Sequence, residues 1–265
     1  MNTTTASATT RPAGSEDHPA GRGLPRRRFA GIVAAATAAA LSVSLTGCVS
    51  VQLPAPAPST TLEHEVSADV HAVHLDTAGD LTITLGDTPG LEITTSERMH
   101  ERISVDERDG TLTLDAEAVV GWPDPVTYVL TVSSLDSVMV DGSGSVDADF
   151  TTGVDVTIDL DGSGSVSARG LEVGAVSVSL RGSGSVVLAG TAEMIDATLD
   201  GSGSVEAIDL IARSGTVELD GSGSIGVHAT SEMDAELEGS GTIRVAGSPR
   251  LSEQVRGSGD IVEVR

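Results

Sequence analysis

Val156-Thr157-Ile158-Asp159-Leu160-Asp161-Gly162-Ser163-Gly164-Ser165-Val166-Ser167-Ala168 is the stretch that decides the fold. Val156, Ile158, Leu160, Gly162, Gly164, Val166 and Ala168 occupy one set of alternate positions, and Thr, Asp and Ser occupy the other. A period of two puts one face of a strand against a core and the other in water. The phase runs unbroken through the glycines, so Gly162 and Gly164 are expected to point inward. Glycine there permits a bend and fits an interior that narrows.

The same pattern recurs along the chain. Gly-Ser-Gly begins at Gly142, Gly162, Gly182, Gly201, Gly221, Gly239 and Gly257, at spacings of 20, 20, 19, 20, 18 and 18. A near-constant period of this size points to a solenoid or array, in which each repeat buries its apolar face against its neighbours. A flexible Gly-Ser linker would not carry in-phase Val, Ile and Leu around every copy. A meander of hairpins would reverse at the glycines, whereas the preserved phase predicts that the strand continues past them. The length changes fall in Ala168–Gly174, Ala207–Gly215 and Val245–Leu251, and the turns are expected there. The expected fold is therefore an all-β, parallel β-solenoid with about 18–20 residues per coil.

Stacked coils lie about 4.8 Å apart, so equivalent residues should form outer ladders. One is Ser143, Ser163, Ser183, Ser202, Ser222, Ser240 and Ser258. A second is Ser145, Ser165, Ser185, Ser204, Ser224, Thr242 and Asp260. A third, Asp141, Asp161, Arg181, Asp200, Asp220, Glu238 and Arg256, stacks like charges that repel, with Arg181 and Arg256 placed to relieve part of the repulsion. Residues 63–140 are less regular but strand-like. Leu81, Ile83 and Leu85 precede a turn at Gly86–Gly90, and Asp109-Gly110 between Ile103/Val105 and Leu112/Leu114 is a hairpin signal. This region is expected to begin the solenoid and close its first coil, since an open edge invites aggregation.

Upstream, Arg26-Arg27-Arg28 leads into an uncharged apolar run, Phe29–Leu45, that ends in Leu45-Thr46-Gly47-Cys48. A basic region, an apolar core and small residues describe an export signal over residues 1–47. The tetrapeptide resembles the lipobox of bacterial lipoproteins, which implies cleavage before Cys48 and lipidation of its thiol. The run is also near the lower limit for an uncleaved span. Arg26-Arg27-Arg28-Phe29 resembles a twin-arginine signal, although Pro25 departs from that motif, and a general secretory route explains the arginines equally well. Pro54-Ala55-Pro56-Ala57-Pro58 then reads as a stiff spacer, giving a tether over 48–62 before the β region 63–265.

Composition narrows the function. The 265 residues hold 39 acids against 15 arginines and no lysine, a net charge of −24. Removing residues 1–47 leaves ten arginines against 37 acids, a net charge of −27. Nucleic-acid binding needs clustered cations and is excluded. The lone Cys48 excludes a disulfide framework and a Cys-rich zinc site. No lysine means no phosphate-cradling loop of the Gly-x-x-x-x-Gly-Lys type.

His71 and His74 lie three apart on a strand and so face opposite sides. His64, His100 and His228 are scattered, so no serine has an identifiable base. Calcium is the only candidate cofactor, shared between Asp200 and Asp220, and a solvated acidic face accounts for the same residues. An enzyme acting on acidic polysaccharide would want cations and aromatic platforms. Past Cys48 the chain offers only Phe150, Tyr128 and Trp122 as aromatics, the last in Gly121-Trp122-Pro123. Trp122 would pack on the end coil or serve as a partner-binding anchor.

Val73-His74-Leu75, Asp80–Leu85, Asp109–Leu114, Leu135–Val138 and the repeated Gly-Ser-Gly together resemble the head GIN domain family, described as auto-transporter adhesins, over roughly residues 66–265. The resemblance implies a right-handed solenoid-like fold on an exported bacterial protein and carries no catalytic residues. The expected function is a non-catalytic, adhesin-like binding module on a lipoprotein at the cell surface. Its partners would be the membrane, through Cys48, and an envelope or extracellular ligand. The alternatives are a structural or self-associating envelope protein and, more distantly, a polysaccharide-acting enzyme.

Overall fold

A computed structural model describes residues 58–117 and 124–264. The export segment, Cys48, most of the Pro/Ala spacer and Trp122 lie outside the described residues. The less regular part comprises β1 (Ser59–Glu65), β2 (Ala72–Asp76), β3 (Asp80–Leu85), β4 (Gly90–Ser96), the single turn α1 (Glu97–His100), β5 (Ile103–Arg108), β6 (Thr111–Ala116) and β7 (Thr127–Val132). β1 begins inside the range read as tether. The regular part comprises β8 (Ser137–Gly142), β9 (Ser145–Ala148), β10 (Val156–Gly162), β11 (Ser165–Gly182), β12 (Ser185–Gly201), β13 (Ser204–Gly221), β14 (Ser224–Gly239), β15 (Thr242–Ala246), β16 (Arg250–Gly257) and β17 (Asp260–Val264).

All strands join one 17-stranded sheet wound into a β-solenoid of about six turns, preceded by the less regular region. Pairing in the regular part is parallel and in register. Leu160 stacks on Leu180, then Leu199, Leu219 and Leu237, and all are at most 1 % exposed. Burying each such side chain contributes about 2 kcal/mol, which is how a chain with almost no aromatics sustains a core.

The inward–outward phase survives the corners, since Gly164 is buried and Gly162 half-buried. The strand does not. Each of β10 to β14 ends on the first glycine and the next begins on the residue after the second, a serine except at Thr242, so a bend lies at Gly-Ser-Gly itself. The first glycine sits at positive φ, +126° at Gly162 and +129° at Gly221, and this one residue redirects the chain without adding any. At Ala168–Gly174 and Ala207–Gly215 the ladder is unbroken, but it shifts register between Ala168 and Leu171 and between Ala207 and Ile211, with Gly170 at φ +71°, so each coil also turns back in these segments, as expected. Parallel neighbours hold the ladder together, so length differences are absorbed as bulges. Only the third segment opens, leaving Gly247–Pro249 between β15 and β16.

The early coils are not stacked in chain order. β2 lies between β6 and β8, and β3 between β7 and β9, so the first coil in sequence is the second in space. β5 covers β6 through the hairpin at Asp109-Gly110, where φ is +51° and +77° as a type I′ turn requires. β4 covers β7 antiparallel, and β1 covers β4. β3 and β4 therefore do not pair, because β7 is inserted between them.

Candidate functional site

The Gly-Ser-Gly corners stack directly. A Cβ on Gly162, Gly182, Gly201, Gly221, Gly239 or Gly257 would drive into the carbonyl of the corresponding glycine one coil earlier. The second glycines are as crowded, with a Cβ on Gly203 falling 2.7 Å from the Gly184 carbonyl oxygen. The serine between them donates its backbone N–H to the preceding coil, as Ser183 does to the Gly162 carbonyl at 2.8 Å and Ser222 to that of Gly201 at 2.9 Å. Its side chain is thereby forced outward.

Ser143, Ser163, Ser183, Ser202, Ser222, Ser240 and Ser258 are all exposed, one per coil. Among the described residues none of these hydroxyls is bonded to protein. They form a straight row of uncommitted donors and acceptors on a fixed backbone. The neighbouring ladder from Ser145 to Thr242 is half-buried and partly committed, as in the 3.2 Å contact between Ser204 and Ser224.

The acidic column lies on the other side of the corner in the expected register. Asp161, Arg181, Asp200, Asp220, Glu238 and Arg256 follow one another coil by coil. Arg256 pairs with Glu236 and, at 4.0 Å, with Glu238. Arg181 sits between two aspartates without an ion pair among the described residues, so its relief of their repulsion is through solvent. At the start of the column, Asp76 pairs in register with Asp115 and directly follows Leu75, whose partner Val140 precedes Asp141, extending the acidic run into the less regular coils. Sequence reading missed that extension because Asp76-Thr77-Ala78-Gly79 hides the corner motif.

His74 donates its Nε2–H to the Asp141 carboxylate at 2.7 Å, while His71 donates from Nδ1 to the Asp69 carbonyl, so the two serve different partners. Asp200 and Asp220 are neighbours, but among the described residues no three His, Cys, Asp or Glu side chains gather to hold a metal ion. Nor is any serine hydroxyl bonded to a histidine ring among them.

Two polar arrangements escaped the sequence. Arg244 reaches across Gly226 to grip Glu206 two coils away with both carboxylate oxygens, at 2.7 and 2.8 Å, and Ser204 donates to the same carboxylate. The missing side chain at Gly226 opens the path, and only the coil register reveals the spacing. At the less regular end, Asp124 accepts from Ser96 at 2.6 Å, and Arg98 stands 3.2 Å away. The Ser96 hydrogen bond, helped by the Arg98 charge against a smaller opposing effect of burial, holds the Asp124 carboxyl below its usual range. Together they fix α1 over the end coil, beside a shallow cavity of about 450 Å³ between Thr77–Asp80 and Asp124–Val126.

Residues 69–249 match the family model described as "Putative auto-transporter adhesin, head GIN domain". Among solved structures, the chain is similar to a putative adhesin from Bacteroides fragilis, with 27 % identity, a TM-score of 0.74, and 78 % of this chain and 97 % of that one covered. A putative lipid binding protein from Parabacteroides distasonis shares the fold at 24 % identity and a TM-score of 0.66, covering 78 % and 97 %. A putative adhesin from Parabacteroides merdae does so at 23 % identity and a TM-score of 0.60, covering 78 % and 96 %. No curated protein sequence matches the chain.

Proposed function

Because the chain belongs to the head GIN domain family of putative auto-transporter adhesins, we propose that it is a non-catalytic adhesion module, exposed at a bacterial surface and held there by a lipid on Cys48. The observation that supports this reading best is the exposed row of corner serines, each fixed by a stacked glycine backbone. Individually such contacts are weak, but several in register act as one multivalent site. The backbone is already ordered, so little freedom is lost on binding. Hydroxyls that both donate and accept suit a hydroxyl- or amide-rich surface, and the flanking carboxylates repel polyanions. The ligand class is therefore neutral or cationic. Divalent cations would enter only as bridges between carboxylates such as Asp200 and Asp220.

Beads coated with the purified protein should attach to cells carrying the ligand. Replacing Ser202, Ser222 and Ser240 together with alanine should cut attachment at least tenfold while leaving thermal unfolding unchanged. Undiminished attachment would overturn the serine row, and loss of attachment with a chelator would assign the contact to cation bridges instead. The anchor is tested separately. Cys48→Ser should move the protein from the membrane fraction to the soluble one, and retention in the membrane overturns the lipid.

A further inference from the structure

The two ends of the solenoid differ in how they are closed. At one, antiparallel strands lie over the last parallel coil, β5 on β6 and β4 with β1 on β7, and among the described residues the outermost β5 and β1 are themselves paired on one side only. At the other, β16 pairs only with β14 and β17 only with β15, and among the described residues no strand lies on their outer side. Their outward N–H and C=O groups form an open edge. The inward row is open as well. Val255 continues the column of Leu199, Leu219 and Leu237, each 0 % exposed, yet is itself 44 % exposed. Leu251 and Ile261 are half-buried.

The same inward row holds two carboxylates. Glu253 stands in the column of Val217 and Ala235, and Glu263 in that of Val227 and Val245. One coil deeper, either charge would be buried among aliphatic side chains at prohibitive cost. Neither belongs to an ion pair among the described residues. Arg250 and Arg256, on the same strand as Glu253, turn back to Glu232 and Glu236 on β14 instead. The terminal coil therefore presents apolar–acidic–apolar at alternate positions beside free backbone groups.

We propose that this end is a docking edge for an extended segment of another polypeptide, added as one further strand, with Lys or Arg flanked at two positions on either side by aliphatic residues. Backbone bonds to the edge supply affinity, and alternate side chains supply specificity. The aliphatic pair would cover Leu251 and Val255, and the cation would neutralise Glu253. A second copy fits poorly, because two such ends would bring Glu253 and Glu263 against carboxylates of their own kind. This inference concerns the end of the stack and is independent of the serine row on its side.

The test uses the purified full chain and three labelled peptides: Ser-Val-Ser-Lys-Ser-Val-Ser, its Glu counterpart, and a scramble that breaks the alternation. Anisotropy should give saturable binding of the Lys peptide, about tenfold tighter than either control. Glu253→Gln with Glu263→Gln should reduce that preference to within about twofold; both sites are on the rim, and thermal unfolding checks that the variant remains folded. Hydrogen exchange should show new protection in β16 and β17 only. Absence of saturable binding, equal binding of the scramble, preference unchanged in the variant, or protection along the acidic column in β10 to β14 would each overturn the proposal. Protection of 250–264 through self-association without peptide would also overturn it, by assigning the edge to a second copy.

Discussion

Between β2 and β3 the chain turns its corner with Thr77-Ala78-Gly79, whereas between β8 and β9, and at the equivalent corner of every later coil, it uses Gly-Ser-Gly. The two kinds of corner superpose in register, so the first glycine is not what a corner as such demands. Gly142 shows why. A Cβ there would meet nothing within 4 Å, because the coil beneath turns without a glycine at that place. One coil later the Cβ of Gly162 would strike the Gly142 carbonyl, and the conflict repeats up the stack. The repeat is thus a constraint that each coil imposes on the next, more than a local preference for a turn. In the less regular region, where the constraint is absent, the interior is filled differently. Tyr128 stands in register with Leu81 and lies fully buried beneath Gly79.

This comparison can be broken or sharpened by substitution. Gly221→Ala combines a backbone at φ +129° with a collision against Gly201, and is expected to destabilise by about 3–5 kcal/mol. Gly142→Ala, with φ +107° but open space, should cost only about 1–2 kcal/mol. Denaturant unfolding of the pair measures the difference, and equal costs would refute coil-on-coil crowding as the cause of the repeat.

Burial raises the Tyr128 hydroxyl to about 12, from an ordinary value near 10. The unfolded chain ionises first as pH rises, so stability should fall between about pH 10 and 12, by about 2–3 kcal/mol in total. Tyr128→Phe should abolish that fall and cost little at neutral pH, since among the described residues the buried hydroxyl has no hydrogen bond of good geometry, only a weak approach to Thr77. A persisting alkaline loss in the variant would locate it in other groups. Val255→Ala, at the open end, should cost less than about 1 kcal/mol, against about 2–5 for Leu219→Ala in the same column. Smallest of all, Ser222→Ala should stay within about 0.5 kcal/mol, as an exposed hydroxyl with no protein partner among the described residues requires.

The strand phase through Val156–Ala168 was legible because burial imposes a strict period of two, and the ladders followed from a constant repeat. The bend at Gly-Ser-Gly is hidden because an alternating pattern that runs through glycine reads as continuing strand, whereas the first glycine of each motif takes a positive φ. The coil order at the start was hidden for a related reason. Nothing local in Ala72–Asp76 says that its neighbours will be Thr111–Ala116 and Ser137–Gly142. The same applies to Arg244 and Glu206, partners whose separation of 38 residues has meaning only once the coil length is known.

The interleaving of the early coils sets an order of events during synthesis. β2 and β3 cannot acquire both flanking neighbours until the chain as far as Ala148 has emerged, so the first stable body must gather long-range contacts and form slowly. Once it exists, every later coil needs only the one before it, and addition can proceed residue by residue as the chain arrives. The protein in effect carries its own seed at its leading end and grows from it in one direction.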